Sequence, residues 1–472
     1  MIFPLLFLPL AVGWKVLHLA DFHLDVDYST SGDNQKMCHN ETGGTNGTLG
    51  QYGDYMCDSP KSLVDYSVRE AFRILPNPDM ILWTGDNVPH VDNYTMDYVV
   101  NAINITTRAI LSSFNGTRYI LPTFGNHDYA PANAFVRNST LYISTWELWK
   151  GLIADDQKAN FLSGGYYKTV LPNATFLVLN TNLYYNANTA YPSFDNQSDP
   201  AGMFAFMESE LQAAAACKNR VQGNCSSIVH VVAHIPPGVF EKTPNFTWFR
   251  DEYNKKFLDI TVRYKDTIKW MLYGHHHTDT FHLVKDGNTT VQCSFMSPAV
   301  TPWFSSLPGA GANNPAFRVY DVEDDINFRI NDILTYYVNL TELNTNPNAQ
   351  FKLEYTFKTA YNLTNGIDAA AMDGLFAKMK TDNSVFQQYI NYNSIMWDSH
   401  LPTGQYRGAQ LCSIEWSDYD QYNKCMVGYN ESGSSTTQSP NNSTSSDNTG
   451  GNGKGFSLWK NNILVLFVLL FY

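Results

Sequence analysis

Five short stretches of the chain place metal-ligand side chains at the end of an apolar run, and no other feature restricts the fold as much. They are Asp21-Phe22-His23, Gly85-Asp86-Asn87, Gly125-Asn126-His127-Asp128, Ala233-His234 and Gly274-His275-His276-His277. The runs before them are Val16–Ala20, Met80–Trp83, Tyr119–Leu121, Ile228–Val232 and Ile268–Tyr273. Each reads as a buried strand by its length and its β-branched or aromatic content. Side chains at strand ends converge outside the carboxyl edge of an open α/β sheet. Ligands about 250 residues apart in sequence can therefore meet in one pocket. The pattern predicts an α/β fold that carries a two-metal hydrolase site.

The ligand types narrow the chemistry. Mixed imidazole and carboxylate sets suit Zn, Fe or Mn, whereas carboxylate-only sets suit Mg or Ca. Asp21 and His23 are two residues apart and share a face as the strand ends, and His275 and His277 repeat that spacing with His276 turned away. A lone D-x-H or G-H-x-H arises often by chance; all five motifs in this order, each behind a strand signal, form a specific constellation. His18, His230 and His282 lie in or beside strands without a motif and read as packed residues. His39 and His400 fall in loops with no argument for function, and His276 reads as a supporting or surface residue rather than a ligand.

The ordered set D-x-H, G-D, G-N-H-D, H and G-H-x-H resembles the calcineurin-like metallophosphoesterases over roughly residues 14–325. That resemblance implies a two-sheet sandwich flanked by helices (α/β/β/α) and two zinc ions per chain. It implies that Asp21, His23, Asp86 and His277 hold the first metal, and that Asp86, Asn126, His234 and His275 hold the second, with Asp86 bridging. Two metals ~3.5–4 Å apart clamp the attacking and leaving oxygens of a phosphate ester and supply hydroxide as nucleophile. His127 follows Asn126 directly and is the implied general acid, a role that suits imidazole because its pKa lies near neutrality.

Neighbouring residues select a branch. Purple acid phosphatases carry a metal-binding Tyr three residues after the Asp of G-D; here that position is Pro89. Trp83-Thr84-Gly85-Asp86-Asn87-Val88-Pro89-His90 instead resembles the W-T-G-D-x-x-x-H element of acid sphingomyelinase and its phosphodiesterase-like relatives. His234-Ile235-Pro236-Pro237-Gly238 and Pro298-Ala299-Val300-Thr301-Pro302 are similar to two further elements of that group. The resemblance makes His90 a second active-site histidine. Acid sphingomyelinases carry a lipid-extracting saposin domain; these 472 residues hold no six-cysteine helical module, so the chain resembles the saposin-free branch. The expected substrates are small phosphodiesters or phosphoanhydrides, of nucleotide or choline-phosphate type. Alternatives are a sphingomyelin phosphodiesterase releasing ceramide and phosphocholine, a phosphomonoesterase, and a metal-dead binding glycoprotein. The loop Thr301-Pro302-Trp303-Phe304 is a candidate apolar rim for reaching lipid headgroups, or else a buried cluster.

A net charge of -13 excludes nucleic-acid polymers as substrates, since no basic track neutralises phosphates. Residues Ile2–Val12 read as a secretory apolar segment too short to span a bilayer, giving a signal peptide over 1–13. Sequons at Asn40, Asn46, Asn93, Asn104, Asn115, Asn138, Asn173, Asn245, Asn288, Asn339 and Asn362 agree with export and with N-linked glycans. Of seven cysteines, the pairs Cys38–Cys57, Cys217–Cys225 and Cys412–Cys425 each close a local loop, and Cys293 is left free. The first and last of these pairs also match disulfides of the phosphodiesterase-like relatives. Residues 431–455 form a Ser/Thr/Asn/Gly linker, and 456–472 end in an apolar tail that reads as a GPI-anchor signal with its ω-site near Asn448–Gly451. The expected location is therefore secreted or anchored at the outer cell surface, with the lysosome as an alternative.

Between these ends, 14–329 reads as the catalytic domain and 330–430 as a small helical C-terminal subdomain. Asp58 or Ser59 is expected to cap a helix from Pro60 to Leu75 with Leu63, Val64, Ala71 and Phe72 inward. Met203–Cys217, Asn331–Thr345, Ala369–Lys380 and Asn383–Asn391 are the other expected helices.

Overall fold

A computed structural model describes residues 13–40, 48–172, 174–217, 225–323, 328–364 and 366–431. The expected signal peptide, linker and anchor signal, with Asn46 and Asn173, lie outside them. Two six-stranded sheets carry the molecule. The first runs Lys352–Thr356, Ile330–Tyr337, Ala316–Val322, Trp14–Leu19, Met80–Trp83, Tyr119–Pro122. The second runs Thr280–Asp286, Thr289–Met296, Ile268–Tyr273, Val229–Val232, Thr175–Val178, Tyr167–Val170.

The five apolar runs are strands, and within each sheet those that lead to a motif are parallel. Trp14–Leu19 pairs with Met80–Trp83, which pairs with Tyr119–Pro122; Val229–Val232 pairs with Ile268–Tyr273. Their continuous apolar character follows from burial on both faces, the usual state of parallel strands under helices. One core cluster runs through both sheets and includes Val16, Leu82, Leu121, Val231 and Leu272. Trp83 meets Trp149 of the helix Thr140–Trp149 edge-on at 5.6 Å, while the helices Ala369–Thr381 and Gly404–Glu415 pack on Thr280–Asp286. The sheets are also tied by a buried polar knot. Arg318 of the first sheet pairs with Asp279, beside the second, and donates to the Met296 carbonyl at 2.8 Å. Asp279 also accepts from Thr335 at 2.8 Å and Tyr355 at 2.9 Å, so the buried ions are partnered.

Three local expectations need correction. Ile330–Tyr337 is a strand rather than the first part of a helix over Asn331–Thr345; only Leu340–Thr345 is helical. It is held in the sheet by antiparallel pairing with Ala316–Val322. With Lys352–Thr356 it extends the first sheet, so wholly helical structure begins only after Thr356 rather than at 330. The helix Lys61–Ile74 has Pro60 at its N-cap with no side-chain cap, and Phe72 lies on its outer side, 40% exposed. Asp58 is engaged elsewhere. The helix Met203–Cys217 stands as read from sequence, and those read as Ala369–Lys380 and Asn383–Asn391 run slightly further, as Ala369–Thr381 and Asn383–Asn393.

All three expected disulfides are formed, and Cys293 is free and buried. The sequon asparagines within the described residues are all exposed or half-exposed. No helix of the described residues is long and apolar enough to cross a membrane.

Candidate metal centre

Each ligand motif lies just beyond the carboxyl end of its strand, and the loops are locked together before any side chain is considered. Asp21 N–H donates to the Gly85 carbonyl at 3.1 Å, and His23 N–H to the Asp86 carbonyl at 2.9 Å. The Asp128 carboxylate, the last residue of G-N-H-D, accepts from the backbone N–H of Asp86, Asn87 and Gly125 at 2.9, 2.7 and 2.9 Å. Burial and the neighbouring Asp86 carboxylate push the Asp128 carboxyl up to about 7, while those N–H donors favour its ionised form. The motif glycines have a steric reason: a Cβ on Gly125 would overlap the Asp86 carboxylate, and one on Gly274 would lie 2.7 Å from an Asp21 oxygen.

Five of the seven predicted ligands adopt left-handed backbone although none is glycine. Their φ values are 53° at Asp21, 41° at His23, 53° at Asp86, 71° at His275 and 61° at His277. Each such residue costs about 1–2 kcal/mol. The dense loop bonding holds this strain in place, and strain concentrated at one spot marks a site built for a purpose other than stability.

All seven predicted ligands come together. Asp21, His23, Asp86 and His277 form one buried group, and Asp86, His234 and His275 a second that shares Asp86. His23 Nε2 lies 3.1 Å from His277 Nε2 and 3.4 Å from Asp86 Oδ2. His234 Nε2 lies 3.1 Å from the same Asp86 oxygen, 3.1 Å from Asn126 Oδ1 and 3.2 Å from His275 Nδ1. One carboxylate oxygen thus stands between the two groups, as a bridge requires.

The donor set fits two divalent cations. His23 Nδ1 lies 2.7 Å from the Val88 carbonyl and His234 Nδ1 2.6 Å from the Thr84 carbonyl. A carbonyl only accepts, so both Nδ1 atoms carry hydrogen. Burial keeps the His23 ring neutral with its Nε2 lone pair inward, whereas the Asp86 and Asp21 carboxylates outweigh burial at His234 and raise it to about 9, so a bound cation would take the place of its Nε2 proton. Asn126 Nδ2 donates to Asn133 Oδ1 at 2.9 Å, which turns its own Oδ1 inward. The His23 Nε2 lone pair therefore faces the Asp86 carboxylate oxygen at 3.4 Å, an arrangement that repels unless positive charge lies between them. Burial opposes ionisation of Asp86, yet His234, His23 and His127 hold its carboxyl well below the usual range. Burial likewise opposes charge on His23 and His275, which are held well below the ordinary imidazole range, as neutral ligands must be.

Two further histidines flank this pair. His127 donates its backbone N–H to Asp86 Oδ1 at 2.8 Å and accepts from Tyr94 OH at 2.9 Å through its carbonyl; its Nδ1 is buried without a partner. The His90 ring is 4.3 Å from that of His127 and stacks on Trp303 at 3.6 Å. Its Nδ1 lies 3.1 Å from both oxygens of Asp58, which also accepts from Thr301 Oγ1 at 3.0 Å. Sequence reading missed Asp58 as a site residue, because Asp before Ser-Pro is also an ordinary cap signal. Trp303 and Phe304 are half-buried, and Trp303 belongs to the cleft wall rather than to a free apolar rim.

His276 is a supporting residue as expected: it is buried, its Nδ1 sits 2.7 Å from Glu241, and its Nε2 accepts from Trp248 Nε1 at 2.7 Å. Trp248 in turn packs edge-on against His275 at 4.2 Å. His18 bridges Tyr320 and Thr84 in the core, and His230 and His282 are fully buried. A cleft of about 220 Å³ opens over the centre, lined by Asp86, His90, Asn126, His127, Trp248 and Trp303 among others.

Comparison with known proteins gives two family matches. Residues 15–279 match the calcineurin-like phosphoesterases, and residues 289–432 match the acid sphingomyelin phosphodiesterase C-terminal region. The chain is 34% identical to human acid sphingomyelinase-like phosphodiesterase 3b, over 87% of this chain and 90% of that one. It is 33% identical to human cyclic GMP-AMP phosphodiesterase SMPDL3A, over 89% and 91%. It is 30% identical to sphingomyelinase phosphodiesterase C of Dictyostelium discoideum, over 89% and 94%.

Proposed function

This chain belongs to the acid sphingomyelinase-like phosphodiesterases, a metal-binding hydrolase branch of the calcineurin-like phosphoesterases, and on that footing we propose that it is a di-zinc enzyme for small phosphodiesters or phosphoanhydrides. The observation that carries the reading is the convergence of seven ligands on two sites that share Asp86, with two further histidines beside them. Asp21, His23, Asp86 and His277 hold one cation; Asp86, Asn126, His234 and His275 hold the other. Two divalent cations there would neutralise the phosphoryl oxygens and lower the pKa of the attacking water.

The remaining work falls to this chain's own groups. His127 gives a proton to the oxygen of the departing group as its bond to phosphorus breaks. Asp58 orients His90 from Nδ1, which leaves His90 Nε2 to face the ester. Trp303 fixes that ring from its face. Asp58→Asn is therefore expected to lower kcat ~10–100-fold, in line with the loss of a group that orients a working histidine. Unchanged kcat in steady-state assays would remove Asp58 from the site.

A relative named as a cyclic GMP-AMP phosphodiesterase supports nucleotide-type diesters as the substrate class, and sphingomyelin is the second reading because another relative is named a sphingomyelinase. We place the enzyme outside the cell, secreted or anchored by glycosylphosphatidylinositol. That placement rests on the apolar segments and sequons of the sequence and on three formed disulfides. The test is to treat cells that express the full chain with phosphatidylinositol-specific phospholipase and assay the released enzyme. Bis(p-nitrophenyl) phosphate, cyclic GMP-AMP, a nucleoside triphosphate and CDP-choline are expected to turn over faster than liposomal sphingomyelin. Absence of release rejects the anchor, and a preference for the liposomes rejects the substrate ranking.

A further inference from the structure

Among the described residues, one cation of the cleft lining has no ion-pair partner. Lys242 lies on the same cleft wall as Phe240, Phe246 and Trp248 and is only 8% exposed. Its ammonium makes a single hydrogen bond, to the Ala310 carbonyl at 3.3 Å. Among the described residues no carboxylate comes within 4 Å of it. The adjacent Glu241 is occupied: His276 at 2.7 Å, Thr278 at 2.6 Å and Asn393 at 3.0 Å share its two oxygens. Glu241 and Asp398 favour the charged form only from a distance, and burial pulls the Lys242 pKa down.

Burying an ammonium without a paired anion is among the least favourable arrangements in a protein. It is tolerated where an anionic ligand completes the pair. The protein already supplies a full set of groups for the phosphate that is cleaved. Among the described residues no hydrogen bond or ion pair links Lys242 to the seven metal ligands, and its one bond goes to the 305–311 loop that forms another part of the cleft lining. A quaternary ammonium headgroup would be repelled at this position.

We propose that Lys242 is a substrate-recognition residue, and that the group it takes is a second phosphoryl group of the substrate, beyond the one that is hydrolysed. The proposal rests on the reading of the cleft as a phosphodiesterase site, and it narrows that reading to phosphoanhydrides and dinucleotides over choline-phosphate esters. Phe240, Phe246 and Trp248 line the same cleft, and apolar lining of this kind lowers the local dielectric and strengthens the attraction of an ammonium for phosphate.

The experiment measures binding of AMP and of ADP, which differ by one phosphoryl group, to the zinc-loaded full chain by calorimetry, with ADP supplied as its α,β-methylene analogue so that no anhydride bond is cleaved during the titration. The wild-type protein is expected to bind ADP at least ~10-fold more tightly than AMP, the scale of one charge-assisted contact in a dry site. Lys242→Met is expected to bind the two within about twofold of each other, and Lys242→Arg to keep part of the preference. Thermal unfolding is read beside it: methionine relieves a buried charge, so Lys242→Met is expected to match or exceed the wild-type Tm. A wild-type protein without ADP preference overturns the proposal. So does a Lys242→Met protein that keeps the preference, or one that loses Tm with the preference intact, the signature of a structural lysine. Turnover of bis(p-nitrophenyl) phosphate by the wild-type chain is the separate test of the reaction, so failure of one reading is distinguishable from failure of the other.

Discussion

Asp86→Asn is expected to lose both its metals and its activity, with turnover falling ~10³-fold or more. The argument is electrostatic. Asp86 Oδ2 stands 3.4 Å from His23 Nε2 and 3.1 Å from His234 Nε2, so one carboxylate charge lies within reach of both proposed cation sites. Its other oxygen accepts from His127 N–H at 2.8 Å and fixes the position of the proposed acid. Asparagine keeps the shape and removes the charge, leaving two dications with only Asp21 as an anionic ligand. The variant should still fold, because Asp128 clamps the loops through backbone N–H groups of Asp86, Asn87 and Gly125 that the substitution does not alter. Elemental analysis of the purified variant is the check; two zinc ions per chain retained would refute the bridging role.

His127→Ala is expected to keep its metal and lose ~10²–10⁴ in rate on substrates with poor leaving groups. The His127 side chain supplies no ligand: it touches Asp86 through the backbone, and its ring only adds to the charges that favour the Asp86 carboxylate. The loss should shrink on p-nitrophenyl esters, because p-nitrophenolate departs without a proton. A Brønsted series of leaving groups measures this. Equal losses across the series would mean that His127 positions the phosphate instead of protonating the leaving oxygen.

The architecture of this site was legible because it is carried by strands. Apolar runs such as Val16–Ala20 and Ile268–Tyr273 announce buried parallel strands, and the residues just past them must lie at one sheet edge. The three disulfides were legible for a similar reason, as each closes a short loop. The positive φ angles at Asp21, His23, Asp86, His275 and His277 were not legible: none is glycine, and only the packed neighbouring loops impose that conformation. Asp58 and Lys242 gave no signal for a related reason. Their roles depend on partners, or on a lack of them, contributed by distant segments. The strand Ile330–Tyr337 was misread because its mixed polar pattern is resolved only by pairing with its neighbours in the sheet, a tertiary effect that local propensity does not carry.

The central claim is that one carboxylate-bridged pair of divalent cations, held by these seven residues, performs the hydrolysis. Its most direct test is metal stoichiometry measured together with rate on the full wild-type chain. Inductively coupled plasma mass spectrometry should find two zinc ions per chain. Removal by a chelator should abolish bis(p-nitrophenyl) phosphate turnover, and titration with zinc should restore it in step with occupancy of the second site. A metal-stripped chain that retains its turnover would contradict the account.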